Sequence, residues 1–114
     1  MDTEKYKDLN KKQEELKEKG MKFMDELREL EKKKKKFELI IPVIDQQLKK
    51  EKLEKKRNKL IEQKKKYETI ISLVDQQIEK KKDEIGKNDE EQSKMESEKK
   101  RYLEGRLEEG LEGL

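Results

Sequence analysis

One segment of this chain occurs twice, and the spacing between its copies limits how the chain can fold. Phe37 to Leu48 reads FELIIPVIDQQL; thirty residues on, Tyr67 to Ile78 reads YETIISLVDQQI. Over fourteen aligned positions, seven pairs are identical, among them Ile40/Ile70, Ile41/Ile71 and the triplets Asp45-Gln46-Gln47 and Asp75-Gln76-Gln77. Phe37/Tyr67, Val43/Leu73, Ile44/Val74 and Leu48/Ile78 exchange like for like. Apolar residues fall at 37, 41, 44 and 48, and again at 67, 71, 74 and 78. Steps of four and three are the seam of a coiled coil.

The two seams are out of phase. Thirty residues are four heptads plus two, which turns the second patch by about 120° on a straight helix. A single straight helix cannot offer both patches to one partner stripe, but a chain that reverses can pack one against the other. Pairing positions whose numbers sum to 115 sets Leu30 against Ile85, Phe37 against Ile78, Ile41 against Val74, Ile44 against Ile71 and Leu48 against Tyr67. The predicted seam is therefore Leu27, Leu30, Phe37, Ile41, Ile44, Leu48, Tyr67, Ile71, Val74, Ile78 and Ile85.

The expected fold is all-α: one elongated antiparallel helical hairpin, or coiled coil, spanning 1–114. Arm one runs over about 3–55, a turn falls at 56–58 (Lys56, Arg57, Asn58), and arm two covers about 59–85. Gly86, a good C-terminal cap, predicts a break at 86–88. A third segment over about 89–104, carrying Met95 and Tyr102, would then either fold back as a third helix to make a small bundle or continue along the rod, with a weakly ordered tail at 105–114. Asp2 or Thr3 is placed to cap the first helix. Gly20 reads as a soft spot, and Pro42, inside the richest apolar stretch, as a kink. The glycine-interrupted tail, with Leu103, Leu107, Leu111 and Leu114, reads as a frayed end or a docking peptide.

Composition bounds the function. Hydrophobic residues make up 28% of the chain and charged residues 54%, which suits a thin seam rather than a thick core. There is no Cys, His, Trp or Ala. Without a thiol, an imidazole or a Gly-rich phosphate loop, no catalytic, cofactor or metal site is expected, and no small-molecule substrate. No apolar run approaches a membrane span and no signal peptide opens the chain, so the expectation is an intracellular, cytoplasmic protein.

The net charge of +3 is unevenly placed: −2 over 1–31, +10 over 32–82 and −5 over 83–114. The repeated Asp-Gln-Gln triplets, next to the seam, are expected to fix register by interhelical hydrogen bonds; a paired binding site is the alternative. The expected function is a non-enzymatic scaffold, adaptor or assembly factor acting through helix–helix contacts with itself or a larger assembly. The second reading is an electrostatic binder of nucleic acid, an acidic protein tail or an anionic surface. It would use Lys32, Lys33, Lys34, Lys35, Lys36, Lys55, Lys56, Arg57, Lys64, Lys65 and Lys66. A third is a charged helical spacer.

Overall fold

The computed structural model describes the backbone of residues 2–112 and the side-chain surroundings of residues 4–107. Two helices, α1 (Asp2–Lys50) and α2 (Glu54–Glu112), pack antiparallel as a hairpin. The caps expected at Asp2 and Thr3, and the tail's Leu111 and Leu114, fall outside the residues with described side chains.

The reversal is three residues, 51–53, five residues earlier than the predicted turn at 56–58. No Gly, Pro or positive φ makes it. Instead, Arg57 in the first turn of α2 donates through Nη1 to the carbonyls of Leu48 at 2.5 Å and Glu51 at 3.0 Å. Leu48 is among the last residues of α1, whose final carbonyls have no partner within the helix. A guanidinium supplies both missing donors from one rigid fork. The Leu53 amide donates to the Glu51 carboxylate at 3.2 Å, and the Arg57 amide to the Leu53 carbonyl at 2.9 Å. The residue assigned to the turn in the sequence is thus the one that closes it from inside α2.

Packing divides the chain into a repeat unit, Asp25–Lys82, and a terminal unit formed by Met1–Met24 and Asp83–Leu114. In the repeat unit the seam positions on α1, all covered, are Leu27, Leu30, Lys34, Phe37, Ile41, Ile44 and Leu48. Those on α2 are Leu60, Lys64, Tyr67, Ile71, Val74, Ile78 and Lys81. The steps of three and four are unbroken, and the seam is interrupted by lysine once on α1, at Lys34, and twice on α2, at Lys64 and Lys81. Ile44, Val74 and Ile78 are buried, at 4%, 2% and 6% exposure. Facing residues have numbers that sum to 107–109, as in Glu26 with Lys81, Lys34 with Asp75 and Asp45 with Lys64. The predicted sum of 115 is one heptad out.

Burial repeats with the sequence: 34, 37, 40, 41, 44, 45 and 48 are covered on α1, and 64, 67, 70, 71, 74, 75 and 78 on α2. Each copy is therefore the other's mate across a local two-fold axis. The axis passes near Phe37 and Tyr67, whose ring centroids are 5.7 Å apart.

In the terminal unit the same spacing continues with more polar residues. Tyr6, Leu9, Gln13, Leu16, Gly20 and Phe23 line α1; Ile85, Asn88, Gln92, Met95, Lys99 and Tyr102 line α2. Facing numbers here sum to 108: Tyr6 stacks on Tyr102 with centroids 6.0 Å apart, and Gly20 meets Asn88. The expected break at 86–88 is absent, and residues 89–104 are the continuation of α2 rather than a third helix. Gly86 has no positive φ, and Asn88 is 4% exposed in the seam, so packing on α1 outweighs the glycine's preference for a helix end. The tail also stays helical as far as Glu112. Pro42 likewise remains within α1, on the helix side away from the seam, where its exposed ring leaves the packing intact.

Gly20 is a close-approach site. Asn88 donates through Nδ2 to the Leu16 carbonyl at 3.0 Å, and its Oδ1 accepts from Gln92 Nε2 at 2.6 Å. A Cβ on Gly20 would sit 2.6 Å from that Oδ1. Gly86 and Gly105 have nothing within 4 Å of the same position. Gly86→Ala and Gly105→Ala should each stabilise the protein by up to about 1 kcal/mol, the ordinary gain of Ala over Gly in a helix. Gly20→Ala should instead destabilise it by about 1 kcal/mol, because moving Asn88 breaks buried hydrogen bonds whose loss exceeds that gain. Urea melts of the three variants read this difference in sign. Arg57→Ala should lower stability in the same assay by about 1–2 kcal/mol through loss of its charged hydrogen bonds at the turn.

Candidate interaction surface of the repeat unit

With the heptad lettered so that Phe37, Ile44, Tyr67 and Val74 are d and Ile41, Leu48, Ile71 and Ile78 are a, the repeat unit has two unlike flanks. In an antiparallel pair, e positions adjoin e positions on one flank and g positions adjoin g positions on the other. The e flank holds Glu38, Asp45, Glu68 and Asp75. These carboxylates serve two of the three seam lysines, Lys34 and Lys64. Lys34 Nζ lies 2.6 Å from Asp75 Oδ1 and 3.7 Å from Glu38 Oε1. Its mate Lys64 lies 2.7 Å from Asp45 Oδ1. The hydrogen bond to Asp75, helped by the charges of Asp75 and Glu38, raises the Lys34 pKa above the ordinary 10.5 despite partial desolvation. The hydrogen bond to Asp45, with the charges of Asp45 and Glu68, raises Lys64 in the same way.

The triplets thus divide in role. Asp45 and Asp75 make ion pairs across the helices, while Gln46, Gln47, Gln76 and Gln77 lie exposed.

The g flank differs. Ile40 and Ile70 are half-buried at g, and beside them Val43 and Leu73 stand 53% and 54% exposed at c. From 33 to 50 on α1 and 59 to 80 on α2, the c and g positions carry six lysines (Lys33, Lys36, Lys50, Lys59, Lys66, Lys80) and no carboxylate. Leu39, at the neighbouring f position, is 73% exposed. A basic rim around an apolar strip therefore occupies one flank, and the carboxylates the other.

The sequence-predicted cations do not form one patch. Lys34 and Lys64 are half-buried in ion pairs, and Arg57 is held by carbonyls. Lys32 lies 3.6 Å from Glu29. Lys33, Lys35, Lys36, Lys55, Lys56, Lys65 and Lys66 are exposed but are distributed around both helices, since five consecutive lysines exceed one helical turn. The predicted seam residues are all buried or half-buried. Sequence reasoning missed Lys34 and Lys64 in the seam, although each stands four residues after a leucine and three before an aromatic ring, at Leu30-Lys34-Phe37 and Leu60-Lys64-Tyr67.

Shallow open grooves lie between the helices of each unit. One is lined by Lys50, Glu51, Lys56, Lys59 and Leu60 beside the turn, and another by Lys12, Leu16, Glu91 and Met95 in the terminal unit. Among the described residues, no group of three or more carboxylates is placed to hold a metal ion, and no helix is long and apolar enough to cross a membrane. No protein-family model, curated protein or solved structure matches the chain.

The two lysines give a pH dependence of definite sign. Because folding raises their pKa values, their stabilising contribution is fully present below the unfolded value and disappears as pH rises through the folded one. The melting temperature should therefore fall as pH is taken upward from 10.5, and the fall should be shallower in the Lys34→Met/Lys64→Met variant. Equal slopes in thermal melts of the two proteins would remove the ion pairs from the account of stability.

Proposed function

We propose that this protein is a non-enzymatic helical scaffold or adaptor that binds another protein through helix–helix contacts. The observation that supports this reading is the apolar strip on the g flank. Leu39, Val43 and Leu73 are more than half exposed in a chain with little apolar material, although the seam itself is already filled. Contiguous exposed apolar side chains on a charged protein mark contact surfaces more often than chance placement. The helix pair holds the strip in position, and the lysines keep it soluble.

The test is affinity capture from cell extract with the full chain and with an Ile44→Asp/Val74→Asp variant that opens the helix pair. The expected result is a defined protein partner, reconstituted with purified components, that the opened variant loses along with its helicity. Partner binding that survives loss of helicity would refute the reading.

A second reading rests on the exposed lysines flanking the turn. Lys49, Lys50, Lys52, Lys55, Lys56 and Lys59 are all solvent-exposed and lie within a few residues of the reversal. A polyanion bound there would dissociate steeply with added salt. Heparin or single-stranded DNA binding at low salt, lost on replacing these lysines with glutamine, would favour this function over the scaffold.

A further inference from the structure

The g flank of the repeat unit carries enough chemistry to specify its occupant. This inference rests on the scaffold reading above and names the class of partner. Four apolar residues lie in a diagonal across the two helices, in the order Leu73, Ile70, Ile40, Val43. The local two-fold axis exchanges Ile40 with Ile70 and Val43 with Leu73, so the diagonal is centred on that axis. Ile40 and Ile70 are half-buried and form its floor, while Val43 and Leu73 are the raised ends. The same axis exchanges Lys36 with Lys66, and these two exposed lysines flank the strip on the opposite diagonal. The facing-residue register puts Lys36 beside Leu73 and Lys66 beside Val43, at nearly the same height along the helices. The strip spans roughly eight residues of rise, or about 12 Å, which is a little over two turns of a helix crossing it.

Charge decides between the occupants such a strip can take. A second copy laid face to face would align apolar diagonal on apolar diagonal and so bring Lys36 and Lys66 against their counterparts, with four further lysines around them. Like charges opposed at an interface disfavour that pairing. The carboxylates that could relieve it, Glu38, Asp45, Glu68 and Asp75, are on the other flank, where Asp45 and Asp75 are paired with the seam lysines. The surface is complementary to an apolar stripe bordered by carboxylates.

We propose that the g flank, centred on Ile40 and Ile70, is the docking site for an acidic amphipathic helix of another protein. Its apolar stripe covers the Leu73–Val43 diagonal and its Glu or Asp residues meet Lys36 and Lys66. The docked segment adds a third helix to the pair, reading the groove by anchors at helical spacing.

The experiment uses the full chain and two fluorescein-labelled synthetic peptides of three heptads. Both carry leucine on one face; one is flanked by glutamate and the other by lysine. Fluorescence anisotropy should show saturable binding of the glutamate peptide and none of the lysine peptide. Val43→Asp/Leu73→Asp should weaken binding by at least about tenfold, a clear difference in binding free energy. Circular dichroism should show both exposed substitutions leaving the helix pair folded. Lys36→Glu/Lys66→Glu should reverse the preference between the peptides, a change that mere loss of stability would not produce.

Absence of saturable binding, or binding indifferent to Val43→Asp/Leu73→Asp, would overturn the proposal. So would binding to phosphatidylserine vesicles that needs Val43 and Leu73 while the glutamate peptide fails to bind. A concentration-dependent dimer abolished by the same substitutions would assign the face to a second copy instead. A cellular partner that the opened helix pair loses but Val43→Asp/Leu73→Asp retains would sink this site and leave the scaffold reading standing.

Discussion

The register of the helix pair depends on a few polar residues in an apolar seam. Leucine and isoleucine at seam positions pack nearly as well after a slide of one heptad, since every seam position then meets another seam position. A lysine there does not. Lys34 must find a carboxylate, and it finds Asp75 with Glu38 beside it; Lys64 finds Asp45. Slid by one heptad, Lys34 would face Lys81, which is itself bound to Glu26. The ion pairs are part-exposed and each contributes modestly to stability. Their effect is on the choice among alternatives, because the wrong alignment loses attraction and gains repulsion.

The terminal unit fixes its alignment by a different chemistry. Asn88 fits only opposite a residue with no side chain, and Gly20 is that residue. The Asn88 side chain donates to the Leu16 carbonyl and accepts from the Gln92 side chain, so a buried polar group is satisfied without a charge. Tyr6 and Tyr102 stack, with the Lys99 ammonium 5.3 Å from the Tyr6 ring centroid. Glycine, asparagine and glutamine look like interruptions of a hydrophobic pattern, yet here they are a layer of it.

That explains what the sequence disclosed. The repeat and its steps of three and four gave helices, an antiparallel hairpin and the apolar half of the seam. Apolar spacing cannot tell registers one heptad apart, so matching Phe37 with Ile78 and Leu48 with Tyr67 was as good a fit as the one adopted. The turn moved with the register, from Lys56–Asn58 to 51–53. No turn-prone residue marked the true site, because Arg57 closes the turn from outside it. Gly86 gave a break that packing overrides, since Asn88 two residues on is bound into the seam. On the surface, the count of lysines was legible but their sorting was not: that the c and g positions around Ile40 and Ile70 hold six lysines and no carboxylate, while four carboxylates stand at e, follows only once e and g are assigned from the true seam.

The three-residue link between α1 and α2 has a further effect on the repeat. Two copies of one helix on separate chains would meet by diffusion, and their pairing would weaken on dilution. Joined by so short a link, each copy sees its mate at an effective concentration on the order of millimolar or above, whatever the amount of protein present. The alignment set by Lys34 and Lys64 is therefore an internal property of the molecule, held in a single isolated chain as firmly as in a concentrated solution.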